Sequence, residues 1–103
     1  MKPIHSLFTY GTLQDASIQL QLFGRIIKGE ADSLIGYKIS TVKYQGIYPM
    51  LYHSKNSNDI ILGKTYQLSN QELEKADVYE GTDYRRIEVT LASGTKAWVY
   101  VGK

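Results

Sequence analysis

Apolar residues return at every second position along most of this chain, and in only two stretches does that rhythm lengthen to helical spacing. The pattern commits the backbone mainly to strands, because successive strand side chains point to opposite faces, whereas a helix brings residues three and four apart onto one side. Residues 4 to 9 alternate, with Ile4, Ser6 and Phe8 facing one way and His5, Leu7 and Thr9 the other, and the strand stops at Tyr10-Gly11. At the far end Thr95 to Val101 sets Ala97, Val99 and Val101 against Trp98 and Tyr100. Tyr84 to Ala92 places Ile87, Val89 and Leu91 on one side, and Ser93-Gly94 reads as the hairpin turn between these last two strands.

The middle of the chain is less regular. From Ile26 to Ser40 the polarity fluctuates around Gly29 and Gly36, which fits one bent strand carrying Leu34, Tyr37 and Ile39, with Gly36 marking a bulge. Lys43 to Pro49 reads as a turn and an extended crossing, since the residue before a proline is kept out of the helical region. Met50-Leu51-Tyr52 looks like a short strand, and the polar cluster from His53 to Asp59 like an exposed hairpin tip. Ile60 to Leu68 resumes strand character, with Ile60, Leu62, Tyr66 and Leu68 on one face and Gly63 on the other.

Two helices are expected. Asp15 caps the first, which carries Ile18, Leu20, Leu22 and Phe23 and closes at Gly24. The second opens on the capping box Ser69-Asn70-Gln71-Glu72, runs to about Tyr79 and stops at Gly81. Six or seven strands and two short helices in an irregular order disfavour a doubly wound parallel sheet. The expectation is an α+β domain spanning residues 1–103, with a small mixed, strongly curved sheet or barrel and the helices set against it.

Composition removes several kinds of chemistry. The chain has no cysteine, so disulfides, thiol nucleophiles and thiolate metal sites are absent, and a reducing, cytoplasmic setting is favoured. The N-terminus has no signal-peptide pattern, and nowhere do about eighteen apolar residues run together, so no membrane partner is expected. Net charge is +2 with the cations scattered apart from Arg85-Arg86, so nucleic acid is not expected as a partner, although nine tyrosines offer rings that can stack on bases. His5 and His53 lack a third ligand at recognisable spacing, so no metal is expected.

The residue that stands out chemically is Glu80. Leu73, Ala76 and Glu80 share one helical stripe, so if that stripe faces the core, Glu80 points inward with it. Burial, the helix C-terminus and Asp77 three residues earlier would all disfavour its ionised form, as suits a group that takes and returns a proton near neutral pH. The alternative is a solvated carboxylate fraying out at Gly81. The second candidate is the turn Tyr10-Gly11-Thr12-Leu13, whose glycine permits close backbone approach and whose N–H groups can cup a carboxylate or oxyanion. An ordinary strand-to-helix turn is the plain reading of the same residues. Tyr84 and Arg86 stand two apart and share a face, which suits a substrate carboxylate, or equally a structural hydrogen bond beside a solvated or capping arginine.

In order, the chain carries Leu7-Phe8-Thr9-Tyr10-Gly11-Thr12-Leu13, Gly36-Tyr37, Gly46-Ile47-Tyr48-Pro49-Met50-Leu51 and Gly63-Lys64-Thr65-Tyr66-Gln67-Leu68. Ala76-Asp77-Val78-Tyr79-Glu80-Gly81, Tyr84-Arg85-Arg86 and Ala97-Trp98-Val99-Tyr100-Val101 complete the series. Together they resemble the gamma-glutamylcyclotransferase-like superfamily, particularly short members similar to gamma-glutamylamine cyclotransferase. The resemblance implies an enzyme of the acyltransferase or lyase class whose substrate's own α-amino group attacks its γ-carbonyl, releasing pyroglutamate and an amine. It implies Glu80 as the acid-base residue, the Tyr10–Leu13 turn as the glutamyl clamp, and no cofactor. The chain departs from the pattern at Ala76, where members usually carry leucine, which removes packing beneath Glu80. A non-catalytic small-ligand-binding or interaction domain on the same fold is the alternative.

Overall fold

The computed structural model describes residues 4–44 and 48–102. In chain order the elements are β1 (Ile4–Thr9), α1 (Ala16–Phe23), β2 (Glu30–Ile35), β3 (Tyr37–Tyr44), β4 (Tyr48–His53), β5 (Ile60–Ser69), α2 (Asn70–Glu80), β6 (Tyr84–Thr90) and β7 (Lys96–Gly102), with one 3-10 turn at Thr12–Gln14. Five strands form a mixed sheet in the order β2-β5-β1-β7-β6, and β3 and β4 form a separate two-stranded sheet. Within the large sheet β1 runs parallel to β7 and antiparallel to β5.

The alternation in β1 explains why that strand lies at the centre. Leu7 and Phe8 point to opposite faces and both are fully buried, so each face needs a cover. On the Leu7 face the cover is helical: Leu13, Leu73 and Ala76 pack with Tyr66, Leu68 and Tyr100. On the Phe8 face it is the β3–β4 hairpin, whose Leu51 packs with Leu34, Ile61, Val99 and Val101.

The sheet is strongly curved but does not close into a barrel. The tip of the β6–β7 hairpin reaches the opposite edge strand, where the Ala92 N–H donates to the Ser33 carbonyl at 2.9 Å and the Ser93 hydroxyl to Asp32 at 2.6 Å. β6 and β2 are not paired along their lengths, so the sheet stays open.

Both helices begin and end where their chemistry directs. The Asp15 side chain accepts from the Ser17 and Ile18 N–H groups, and Gly24 ends α1 in the left-handed region. At α2 the capping box forms, with the Glu72 N–H donating to the Ser69 hydroxyl and Glu72 accepting from the Ser69 N–H. Arg25 grips the same glutamate through two bonds of 2.7 and 2.8 Å, which holds the Glu72 pKa down at about 2.

Three expectations for the middle of the chain need correction. The single bent strand over Ile26–Ser40 is two strands in different sheets, because Gly36, at φ 86°, turns the backbone sharply enough to break the pairing. The Gly36 N–H donates to the Asp59 carbonyl, and its own carbonyl accepts from Ser54, so the glycine hinges one sheet to the other. Residues His53–Asp59 accordingly join two sheets and are not the tip of a paired hairpin. On β5 the expected face splits: Tyr66 and Leu68 lie beneath the helices, while Ile60 and Leu62, beyond the helices' reach, are exposed. Of the turn expected over Lys43–Pro49, residues 45–47 lie outside the described residues, and the flanks belong to β3 and β4.

Gly63 carries the tightest approach in the sheet. A Cβ placed there falls 2.4 Å from the Thr9 carbonyl oxygen and 2.7 Å from the Phe8 ring, and a backbone atom cannot give way cheaply. Gly63→Ala is expected to lower the free energy of unfolding by about 3 kcal/mol. Urea denaturation of the variant beside the parent protein measures the loss.

Candidate active site

The core-facing stripe of α2 runs Leu73, Ala76, Glu80. Leu73 and Ala76 are buried and Glu80 is half-buried, so the helix carries its last acid into the edge of the core. Burial pushes the Glu80 carboxyl up to about 7. The neighbouring Asp77 was expected to add to that shift, but its charge is engaged elsewhere. The Arg86 guanidinium binds it through Nε at 2.5 Å and an Nη at 2.9 Å, and the Tyr100 hydroxyl donates to it at 2.7 Å. Partial burial raises the Asp77 carboxyl, but these bonds and the guanidinium charge outweigh it and hold the pKa below the usual range.

The turn after β1 lies against the same helix end. The Thr12 and Tyr79 hydroxyls are 2.7 Å apart, which ties the turn to the residue before Glu80. The Tyr10 hydroxyl donates to the Tyr100 carbonyl at 3.1 Å. Burial first, then Tyr84 and the negative charge of Glu80, push the Tyr10 phenol upward. Burial, the Asp77 bond and again Glu80 do the same to Tyr100. Glu80 therefore sits within electrostatic range of both phenols. Gly11 faces open space, and a side chain there would meet nothing within 4 Å. The Leu13 side chain, by contrast, is buried in the helix-side core, so what the turn can offer a ligand at that position is backbone.

Tyr84 and Arg86 share a face of β6, as their spacing requires, and both border an open groove of about 750 Å³ with Asp77, Thr82, Arg85 and Trp98. Arg86 lies over the Trp98 ring, 4.7 Å from its centroid, and its bidentate grip on Asp77 ties β6 to α2. The groove abuts the end of α2 at Gly81 and is lined by Tyr100, which feels the charge of Glu80, but Glu80 itself does not line it.

Two participants were not singled out from the sequence. Tyr100 was placed on the correct face of the last strand, but nothing in its spacing announces a bond to Asp77, 23 positions earlier. Gln19 is 2% exposed; its amide donates to the Leu13 carbonyl at 2.8 Å and accepts from the Ile27 N–H at 2.9 Å, which anchors the end of the 10–13 turn. A glutamine among the apolar positions of α1 was the available signal. The histidines stand apart from the site: His5 bonds to Asn70, and His53 packs on Tyr37 with centroids 4.9 Å apart.

A raised carboxyl pKa has a thermodynamic consequence. Below about 4.5 Glu80 is protonated in both the folded and unfolded chain; between about 4.5 and 7 the folded chain keeps a proton that the unfolded chain has released. Stability therefore falls as pH rises through that window and levels off above it. Glu80→Gln removes the effect, so the variant should gain on the parent from pH 4.5 to 7, by about 1–2 kcal/mol after discounting for solvent reaching the carboxyl. Unfolding curves at several pH values read the difference.

The family model described as "Gamma-glutamyl cyclotransferase, AIG2-like" matches residues 7–103. AIG2-like protein B of Arabidopsis thaliana is 33% identical over 89 residues, covering 85% of this chain and 50% of that protein, so the chain spans about half the length of this curated relative. A solution structure of an Arabidopsis thaliana protein superposes with a TM-score of 0.85 at 27% identity, covering 99% of this chain and 64% of the other. A structure titled gamma-glutamyl cyclotransferase superposes at 0.79 with 15% identity, covering 98% and 68%, which is a likeness of fold.

Proposed function

Since the chain belongs to the gamma-glutamyl cyclotransferase, AIG2-like family, we propose that it releases pyroglutamate and a free amine from a γ-glutamyl amine or peptide, with Glu80 as general acid and base. The observation that carries this reading is the half-buried Glu80, its pKa lifted to about 7, at a helix end tied to the Tyr10–Leu13 turn through Thr12 and Tyr79.

The chemistry asks little of the protein beyond placement and one proton carrier. The substrate's α-ammonium has no lone pair until it loses a proton, and ionised Glu80 accepts it. The freed nitrogen attacks the γ-carbonyl carbon of the same molecule, closing a five-membered ring. As the tetrahedral centre collapses, its bond to the amine nitrogen breaks and Glu80 returns the proton to that leaving nitrogen, while the second proton on the ring nitrogen passes to the freed amine, which departs as an ammonium. Every atom of the substrate appears in pyroglutamate or in the amine, and the carboxyl ends as it began. Because attacker and target belong to one molecule, holding the substrate in a folded conformation supplies much of the rate. The turn backbone, open at Gly11, is the part of the site that suits the glutamyl carboxylate, and its N–H groups would steady charge on substrate oxygens. In this reading Tyr84 contacts the substrate from β6, whereas Arg86 holds the site's frame through Asp77.

A carboxyl with a pKa of about 7 is half ionised at neutral pH, so kcat/KM should rise with pH up to about 7. Glu80→Gln should lower pyroglutamate release by about 10²–10⁴-fold without unfolding the protein. Incubation with γ-glutamyl-lysine-type amines and glutathione-like peptides, followed by pyroglutamate assay, tests both. A panel in which ligands raise the melting temperature yet none is converted would replace the enzyme by the binding-domain alternative.

A further inference from the structure

Among the described residues Gln19 is the most deeply buried polar side chain, and both ends of its amide are engaged. Its Oε1 accepts from the Ile27 N–H, which fixes the amide's orientation, and Nε2 then donates to the Leu13 carbonyl at the end of the Tyr10–Leu13 turn. An apolar side chain of the same length would fill this space with no amide to desolvate. What the amide adds is direction: it holds one carbonyl of the turn from inside the core.

That hold passes along the turn through planar peptides. A trans peptide points its C=O and N–H in opposite directions, so a carbonyl held on one side aims the N–H of the same unit to the other. The Leu13 carbonyl shares a peptide with the Gln14 N–H, which donates to the Gly11 carbonyl at 3.2 Å. The Gly11 carbonyl shares one with the Thr12 N–H, and the Thr12 carbonyl, which accepts from the Asp15 N–H at 2.9 Å, shares one with the Leu13 N–H. The carbonyls of Gly11, Thr12 and Leu13 are thus all bonded within the protein, while the Thr12 and Leu13 N–H groups donate to no described residue. Resting on the reading above, we infer that Gln19 is a positioning residue that sets the turn so that the Thr12 and Leu13 N–H groups meet the glutamyl carboxylate. The headgroup is gripped alike in the bound substrate and in the transition state, so loss of Gln19 weakens binding and leaves proton transfer by Glu80 as it was.

Gln19→Met keeps the length of the side chain and removes its donor and acceptor. Assayed well below its own melting temperature, it should raise KM about three- to thirtyfold and keep kcat within about twofold, with the pH dependence unmoved. Gln19→Asn, one bond shorter, cannot keep both partners and should shift KM the same way; it carries the test if the methionine variant fails to fold. A glutamine that serves folding alone gives another pattern, a lower melting temperature and a smaller active fraction at unchanged KM, and that result overturns the inference. Binding is read separately. In the Glu80→Gln background, where conversion is suppressed, γ-glutamyl-alanine titrated by calorimetry should bind more weakly by a similar factor once Gln19→Met is added. If the parent converts γ-glutamyl compounds and the Gln19 variants do so at the parent KM, the cyclotransferase reading stands and the role of Gln19 falls. If the parent converts none while the Gln19 variant still binds γ-glutamyl-alanine more weakly, the reverse holds; if nothing is bound or converted, both fall.

Discussion

A helix whose buried stripe ends in a carboxyl group must place that group where water is scarce, and the rest of the candidate site is arranged around this demand. Leu73 and Ala76 press α2 onto the sheet, and Glu80, one turn further on, is carried inward by the same geometry. The carboxyl does not have to find a partner to become unusual. Desolvation alone moves it toward neutrality, which is the shift a proton carrier needs.

The same helix end holds a second acid, and the structure keeps the two from acting alike. Asp77 is bound by Arg86 and Tyr100, so it remains ionised and anchors the helix to β6 and β7. Two carboxylates three residues apart thus have opposite pKa displacements because one is supplied with donors and the other is desolvated by burial. Separating environments in this way keeps one acid charged and brings the other close to half-ionised at neutral pH. The Arg86–Trp98 stack adds a flat surface that keeps the guanidinium aimed at Asp77.

What was legible in the sequence followed periodicity and caps. The first and last strands, both helices with their limits at Asp15, Gly24, Ser69 and Gly81, and the inward turn of Glu80 all follow from spacing that only one secondary structure satisfies. The middle was not legible, for a physical reason. Gly36 gives the same local signal whether the chain bulges within a strand or swings to another sheet; the difference lies in whether Asp59 and Ser54 meet it, a long-range fact. Ile60 and Leu62 alternate as a buried face should, yet the helices are too short to cover that part of β5. The engagement of Arg86 was equally hidden, since three separate elements contribute to it.

Parallel pairing of β1 with β7 is what brings the two ends of the chain to one place. Leu7 lies beside Trp98, so both strands run toward the same end of the sheet, and the turn leaving β1 meets the last residues of β7. Tyr10 and Tyr100, 90 positions apart, therefore come within hydrogen-bond reach. Were the strands antiparallel, Tyr100 would stand at the opposite end from the turn and α2 would have nothing to dock against near Gly11. Sites in mixed sheets recur beyond the carboxyl ends of adjacent parallel strands because loops diverge there and leave backbone exposed. Here the turn leaving β1 meets the end of α2, tied to it through the Thr12 and Tyr79 hydroxyls, so the topology of the sheet decides which residues gather near Glu80.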